Sequence, residues 1–253
     1  ADCTRADIAI MVDTSSSVSP DWRGSGGIQD FLKRFVQRLQ IGRDLNRLSM
    51  TVFADGALVA WFLGSYFTQA QILSSIDGLY FRNATETQYG FPLNAARSLV
   101  FVPRNGDRED APNIAILVTD GTTLSRDEEA ESINTEVSAL RNAFVNLYVV
   151  SWGNMDIDLA TQITGNDGRV YYAPEAQDLN NNLDGVFNMI CRTSGSAPPT
   201  VRPPPPVQFP TAAPLPPRVP TAAPPPPLPT QTPSPFPPQP PIILTPRPPF
   251  PQP

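Results

Sequence analysis

Oxygen-bearing side chains gather at the ends of two apolar runs. In Ile8-Ala-Ile-Met-Val-Asp13-Thr-Ser15-Ser-Ser17 the run stops at an aspartate followed at once by a cluster of hydroxyls; in Asn113-Ile-Ala-Ile-Leu-Val-Thr119-Asp120-Gly121 it stops at a second aspartate. Asp13, Ser15, Ser17 and Asp120 in one crevice would make a hard, all-oxygen site, suited to Mg²⁺ or Mn²⁺, less well to Ca²⁺, and not to zinc or copper. Two plainer readings compete: Asp13 and Ser15 cap the following helix, or the serines form a turn. A third stretch, Arg82-Asn-Ala-Thr85-Glu-Thr87-Gln-Tyr-Gly90, could add Thr85 as a ligand, and its Asn83-Ala-Thr85 is an acceptor sequon for N-glycosylation. The chain contains no histidine. That removes Ser-His-Asp and Cys-His nucleophile pairs, HExxH zinc sites and histidine general bases, and the chain reads as a non-enzyme.

The elements that must position these residues follow from apolar periodicity. Short apolar runs predict strands at 7–12, 48–53, 57–62, 113–119 and 147–152, with a shorter one at 169–172. Asp55-Gly56 between the second and third signals a hairpin turn. Helical stripes cover 28–39, 68–76 with Thr68 as N-cap, 90–101, 125–144 opened by a Ser125-to-Glu128 capping box, 158–163 and 176–190. Trp22, Arg23 and the glycines up to Gly27 read as a mobile rim to the site or an exposed loop. Strands that alternate with helices and are apolar on both faces predict an α/β fold. The expected form is Rossmann-like and doubly wound: a mostly parallel six-stranded sheet with one antiparallel edge strand and helices on both faces. Ligands of such sheets sit beyond the carboxyl ends of the strands, where Asp13 and Asp120 fall.

Composition divides the 253 residues. Of the 32 prolines, only Pro20, Pro92, Pro103, Pro112 and Pro174 precede residue 197, so the reading is a folded domain at 1–196 and a proline-rich tail at 197–253. The tail repeats itself, with residues 209–217 recurring as 219–227, and such a sequence predicts an extended polyproline-II stalk. Its Thr and Ser residues beside prolines suit O-glycosylation, and its PxxP spacings suit SH3 or WW grooves if the chain meets them. The net charge is −6, and since the tail holds Arg202, Arg218 and Arg247 without an acid, the domain carries about −9. This disfavours nucleic acid and anionic lipid as partners. No apolar run approaches the length of a membrane span. Cys3 and Cys191 bracket the domain, well placed for a disulfide in an oxidising compartment, with two unrelated thiols as the alternative. Opening at Ala1 without Met is what a processed secreted protein would show, and a fragment of a longer chain would look the same.

The pattern Asp13-x-Ser15-x-Ser17, then Thr85, then Thr119-Asp120-Gly121 after an apolar strand resembles the von Willebrand factor type A domain. In order and spacing it is similar to integrin inserted domains, matrilins and collagen-associated A domains, from about Cys3 to Cys191. The resemblance implies a metal-ion-dependent adhesion site. Ser15, Ser17 and Thr85 would bind the ion directly, Asp13 and Asp120 largely through waters, and a partner's Glu or Asp would complete the shell. It further implies a secreted adhesion or matrix protein whose partner is collagen or another matrix or cell-surface protein. The sequence departs from the pattern before Thr85, where Asn83-Ala84 stands in place of the usual glycine, and in Tyr89 before Gly90. The competing reading is a structural matrix component assembled through its tail, with an incidental metal site.

Overall fold

A computed structural model describes residues 3–121 and 126–191, with the backbone alone for 126–130. The tail at 197–253 and the capping box at Ser125 lie outside the described residues. In chain order the elements are β1 (Asp7–Asp13), α1 (Ser19–Trp22), α2 (Ile28–Gln37), β2 (Arg47–Phe53), β3 (Ala57–Trp61), α3 (Gln69–Asp77) and α4 (Gly90–Ala95). There follow β4 (Asn113–Thr119), α5 (Arg126–Asn142), β5 (Asn146–Trp152), α6 (Ile157–Thr164), β6 (Val170–Ala173), α7 (Ala176–Asn181) and α8 (Leu183–Cys191).

The six strands form one sheet in the order β3-β2-β1-β4-β5-β6. Every neighbouring pair is parallel except β2 with β3, the hairpin turned at Asp55-Gly56. The order reverses direction between β1 and β4. The chain leaves β1 for α2 on one face of the sheet and β4 for α5 on the other, so a crevice opens at the carboxyl ends of these two strands. Register places Val12 beside Val118, which brings Asp13 level with Thr119.

Alternation along β1 shows why the strands are apolar on both faces. Ile8, Ile10 and Val12 join one buried cluster with Ile28, Phe31, Leu32 and Phe35 of α2, Ile72 of α3 and Val186 of α8. Met11 points the other way, into a cluster with Leu93 of α4, Ile133 and Val137 of α5 and Ile163 of α6. The 188-residue separation between Cys3 and Cys191 is closed by a disulfide, Cα–Cα 5.1 Å, which fastens the end of α8 to the segment entering β1. At the opposite end of the sheet from Asp13, buried Asp7 accepts from Arg108 Nε (2.9 Å) and Nη2 (2.7 Å) at Oδ1 and from Arg108 backbone N–H (2.7 Å) at Oδ2, which spares its charge from isolation.

Three local expectations are corrected. Trp22 is not an exposed rim residue: it is 3 % exposed and packs on Phe81 with centroids 5.2 Å apart, because a 3-10 turn at Ser16–Val18 and the α1 turn swing the indole inward. The helix expected over 90–101 is α-helical only to Ala95 and widens to a π-helical turn over Ala96–Val100. The closing helix expected over 176–190 is two helices, interrupted at Asn182 (φ −118, ψ 35). Asparagine side chains compete with helical backbone bonding. Here Asn180 spends its Nδ2 on Gly26 O (2.8 Å) and Gly27 O (3.2 Å), while Asn182 reaches the Tyr171 hydroxyl (2.5 Å). At the start of α6, Asp156 Oδ1 accepts from the N–H groups of Asp158 (2.9 Å) and Leu159 (3.3 Å). Asp156→Ala is therefore expected to lower stability by about 1 kcal/mol, read as a lower urea midpoint at unchanged slope.

Candidate metal centre

Asp13 ends β1 and is fully buried. Its Oδ1 accepts from Ser15 N–H at 2.9 Å and its Oδ2 from the Thr119 hydroxyl at 2.7 Å. Thr119 Oγ1 in turn lies 3.1 Å from the Tyr89 hydroxyl and 3.1 Å from Gly121 N–H. Since Thr119 gives its proton to Asp13, Tyr89 is the donor in that pair. A chain Tyr89 → Thr119 → Asp13 thus fixes the carboxylate from behind. Tyr89 is itself fully buried and edges against Phe53.

Ser15 Oγ and Ser17 Oγ approach to 3.1 Å, with Ser15 buried and Ser17 exposed. The loop bearing Thr85 is tied to this turn through its backbone. Asn83 N–H donates to Thr14 O (2.8 Å), Ser16 N–H donates to Ala84 O (2.7 Å), and Ser15 and Ala84 form a parallel bridge. Thr85, the next residue in that loop, is exposed. Asp120, 7 % exposed, follows β4 directly, and its carbonyl accepts from Asn154 N–H at 3.2 Å. Gly121 has φ +80, and a Cβ there would stand 2.2 Å from Met155 Cα, so no other residue fits the turn that leaves Asp120 at the rim. All five residues singled out from sequence are therefore brought to the same end of the sheet, at the switch between β1 and β4.

The electrostatics favour a cation. Burial pushes the Asp13 carboxyl up to about 6; the bonds from Ser15 N–H and Thr119 pull it back, and the nearby Asp120 charge adds to the rise. A carboxylate raised by burial and a second acid is short of positive charge, which a divalent ion would supply. Among the described residues no three His, Cys, Asp or Glu side chains cluster as a metal site. An ion here would thus depend on hydroxyls as well as the two acids, the donor set of a hard cation. Beside the rim opens a cleft of ≈ 480 Å³, lined among others by Ser17, Asp21, Arg23, Asp120, Trp152 and Glu175. Trp152 Nε1 donates to Asp21 Oδ2 at 2.9 Å and holds one wall. Arg23, Gly26 and Gly27, from the stretch read as a rim to the site, do line this cleft, whereas sequence reasoning had no signal for the walls at Trp152 and Glu175, nor for Tyr89 as a positioning group.

The fold and this constellation define an A-type domain: residues 7–184 match the model of the von Willebrand factor type A domain. The chain belongs to that family. Among curated relatives, the mouse collagen α-6(VI) chain is 27% identical over 187 residues, 74% of this chain and 8% of the relative. Human integrin α-10 is 26% identical over 125 residues, 49% of this chain and 10% of the relative. Among solved structures, proximal thread matrix protein 1 of the mussel byssus is 26% identical with a TM-score of 0.65, over 75% of this chain and 47% of that one. A further structure of the same mussel protein is described as having a zinc-occupied MIDAS motif, the metal-ion-dependent adhesion site. The chain thus spans a tenth or less of these curated relatives and about half of the mussel protein. Among the described residues, no helix is long and apolar enough to cross a membrane.

Proposed function

We propose that this chain is a secreted adhesion or matrix protein that docks an acidic side chain of an extracellular protein partner on a divalent cation. The observation that carries the reading is the convergence of Asp13, Ser15, Ser17, the Thr85 loop and Asp120 at the sheet's switch point. In this reading Ser15, Ser17 and Thr85 hold the ion through neutral oxygens, and Asp13 and Asp120 orient its waters. Bound there, the cation supplies positive charge that neutral ligands leave under-compensated, so an incoming carboxylate gains a charge-assisted contact. Asp13 is held for this by Ser15 N–H and Thr119. Mg²⁺ or Mn²⁺ suits the oxygen set best; the zinc found in the mussel relative's MIDAS motif brings zinc back among the ions to test. Collagen-type or other matrix proteins are the expected class of partner. The disulfide supports an oxidising, extracellular setting, and nothing in the reading calls for catalysis.

Melting the full chain tests this. Saturating Mg²⁺, Mn²⁺ or Zn²⁺ is expected to raise the midpoint by several degrees and EDTA to reverse it, because a ligand at a hundred times its Kd adds about 2.7 kcal/mol. A midpoint indifferent to all three ions would count against the site. It would favour a matrix component assembled through its tail, a role in keeping with the likeness to a thread matrix protein.

A further inference from the structure

The sequon Asn83-Ala84-Thr85 coincides with the metal loop, and the two uses of Thr85 belong to different moments in the protein's life. We infer that Asn83 carries an N-linked glycan and that this glycan gates access of large partners to the cation site. The gate rests on the reading above; the modification does not.

Three observations carry the inference. Asn83 is exposed at φ 55, in the left-handed region that asparagine tolerates, and among the described residues its side chain makes no hydrogen bond. Its amide therefore faces solvent, and a sugar on it displaces no packed neighbour. Second, the loop is pinned: Asn83 N–H donates to Thr14 O and Ser16 N–H donates to Ala84 O, so the backbone that roots the glycan is hydrogen-bonded directly to the serine turn. Third, the Cys3–Cys191 disulfide belongs to the oxidising compartment in which N-glycans are added.

The transfer is a simple exchange of bonds. Asn83 Nδ2 bonds to the anomeric carbon of the reducing-end sugar of a lipid-pyrophosphate-linked oligosaccharide. The bond from that carbon to the pyrophosphate oxygen breaks, the lipid pyrophosphate leaves with the electron pair, and one amide proton passes to the transferase. This step uses the Thr85 hydroxyl in the extended chain. Once the bridge of Ser15 to Ala84 has formed, the same hydroxyl is free to serve as a cation ligand. A small carboxylate slips past a glycan rooted here; a protein surface presenting one must crowd the glycan aside and binds more weakly for it.

The full chain secreted from eukaryotic cells decides the matter. Digestion with peptide N-glycosidase in heavy-oxygen water is expected to label residue 83 in the wild type and in Thr85→Ser, but not in Asn83→Gln or Thr85→Ala. An unlabelled wild-type residue 83 would overturn the modification. For the gate, Mn²⁺ binding is read by electron paramagnetic resonance, followed by addition of acetate or succinylated serum albumin. Asn83→Gln is expected to bind Mn²⁺ and acetate like the glycosylated wild type, but succinylated albumin several-fold more tightly. Equal albumin affinity would overturn the gate. Failure of both proteins to bind Mn²⁺ would sink the metal reading and the gate with it, with the label at Asn83 still read independently.

Discussion

Replacing Asp120 with alanine is expected to weaken divalent-cation binding by about a hundredfold or more and to abolish cation-dependent adhesion. Losing even an outer-sphere partner of a metal typically costs 10- to 100-fold in affinity. Here Asp13 and Asp120 are the two carboxylates among the five candidate ligands, and the other three are neutral hydroxyls. The fold should survive, because Asp120 lies beyond the last paired residue of β4, Thr119, which partners Ser151. The cation-free variant should even relieve Asp13, since the Asp120 charge is one of the causes that raises its carboxyl. Calorimetric titration with Mn²⁺ checks the affinity and far-ultraviolet circular dichroism the fold. An Asp120→Ala protein that binds Mn²⁺ as tightly as wild type would remove this acid from the site.

How far such a site can be read from sequence depends on whether its parts are local. The run Asn113–Thr119 is a strand to the residue, because a doubly covered parallel strand must be apolar on both faces and must end where its chain reaches polar surroundings. The same logic marks Asp13 and Asp120 as strand ends, and strand-helix alternation places both at one edge of the sheet. What stays hidden is set by distant partners. Tyr89 meets Thr119 across 30 residues and Thr119 meets Asp13 across 106, so no spacing rule could announce that relay. Trp22 sits in a glycine-flanked, polar stretch that reads as loop, yet Phe81 claims its ring. The break at Asn182 arises likewise from tertiary bonds: Asn180 is drawn to the Gly26 and Gly27 carbonyls and Asn182 to Tyr171. Thr85 lies between these extremes. Its type and place in the chain suggested a ligand, but only the bridge from Ser15 to Ala84 brings its loop to the serines.

Asp13→Asn is expected to be more stable than wild type in EDTA at pH 7 by about 3 kcal/mol, a pKa difference of about two units at 1.36 kcal/mol each. The carboxyl rises from 3.8 to about 6, chiefly through burial. A folded-state pKa above the unfolded one means the native protein holds the proton more tightly. The cost of the bare carboxylate is therefore absent below about pH 4, grows between 4 and 6, and is complete above 6. Glu136, held low mainly by Arg97, and Asp110, held low mainly by Arg5, titrate in the opposite sense. They do so in both proteins and cancel in the comparison. The asparagine keeps an oxygen for Ser15 N–H but turns an amide N–H toward Thr119 Oγ1, so the Thr119 and Tyr89 hydroxyls must reverse their donation. It is the pH dependence of the difference that reports the charge. Urea midpoints from pH 4 to 7 should converge at the acid end and separate toward neutrality. Saturating Mn²⁺ should narrow or reverse the order at pH 7, and the wild-type gain should fade as pH falls through 6 and the proton displaces the ion. A wild type already the more stable in EDTA at pH 7 would mean that this buried carboxylate is satisfied without a cation, and the electrostatic case for a metal at the sheet's edge would fall.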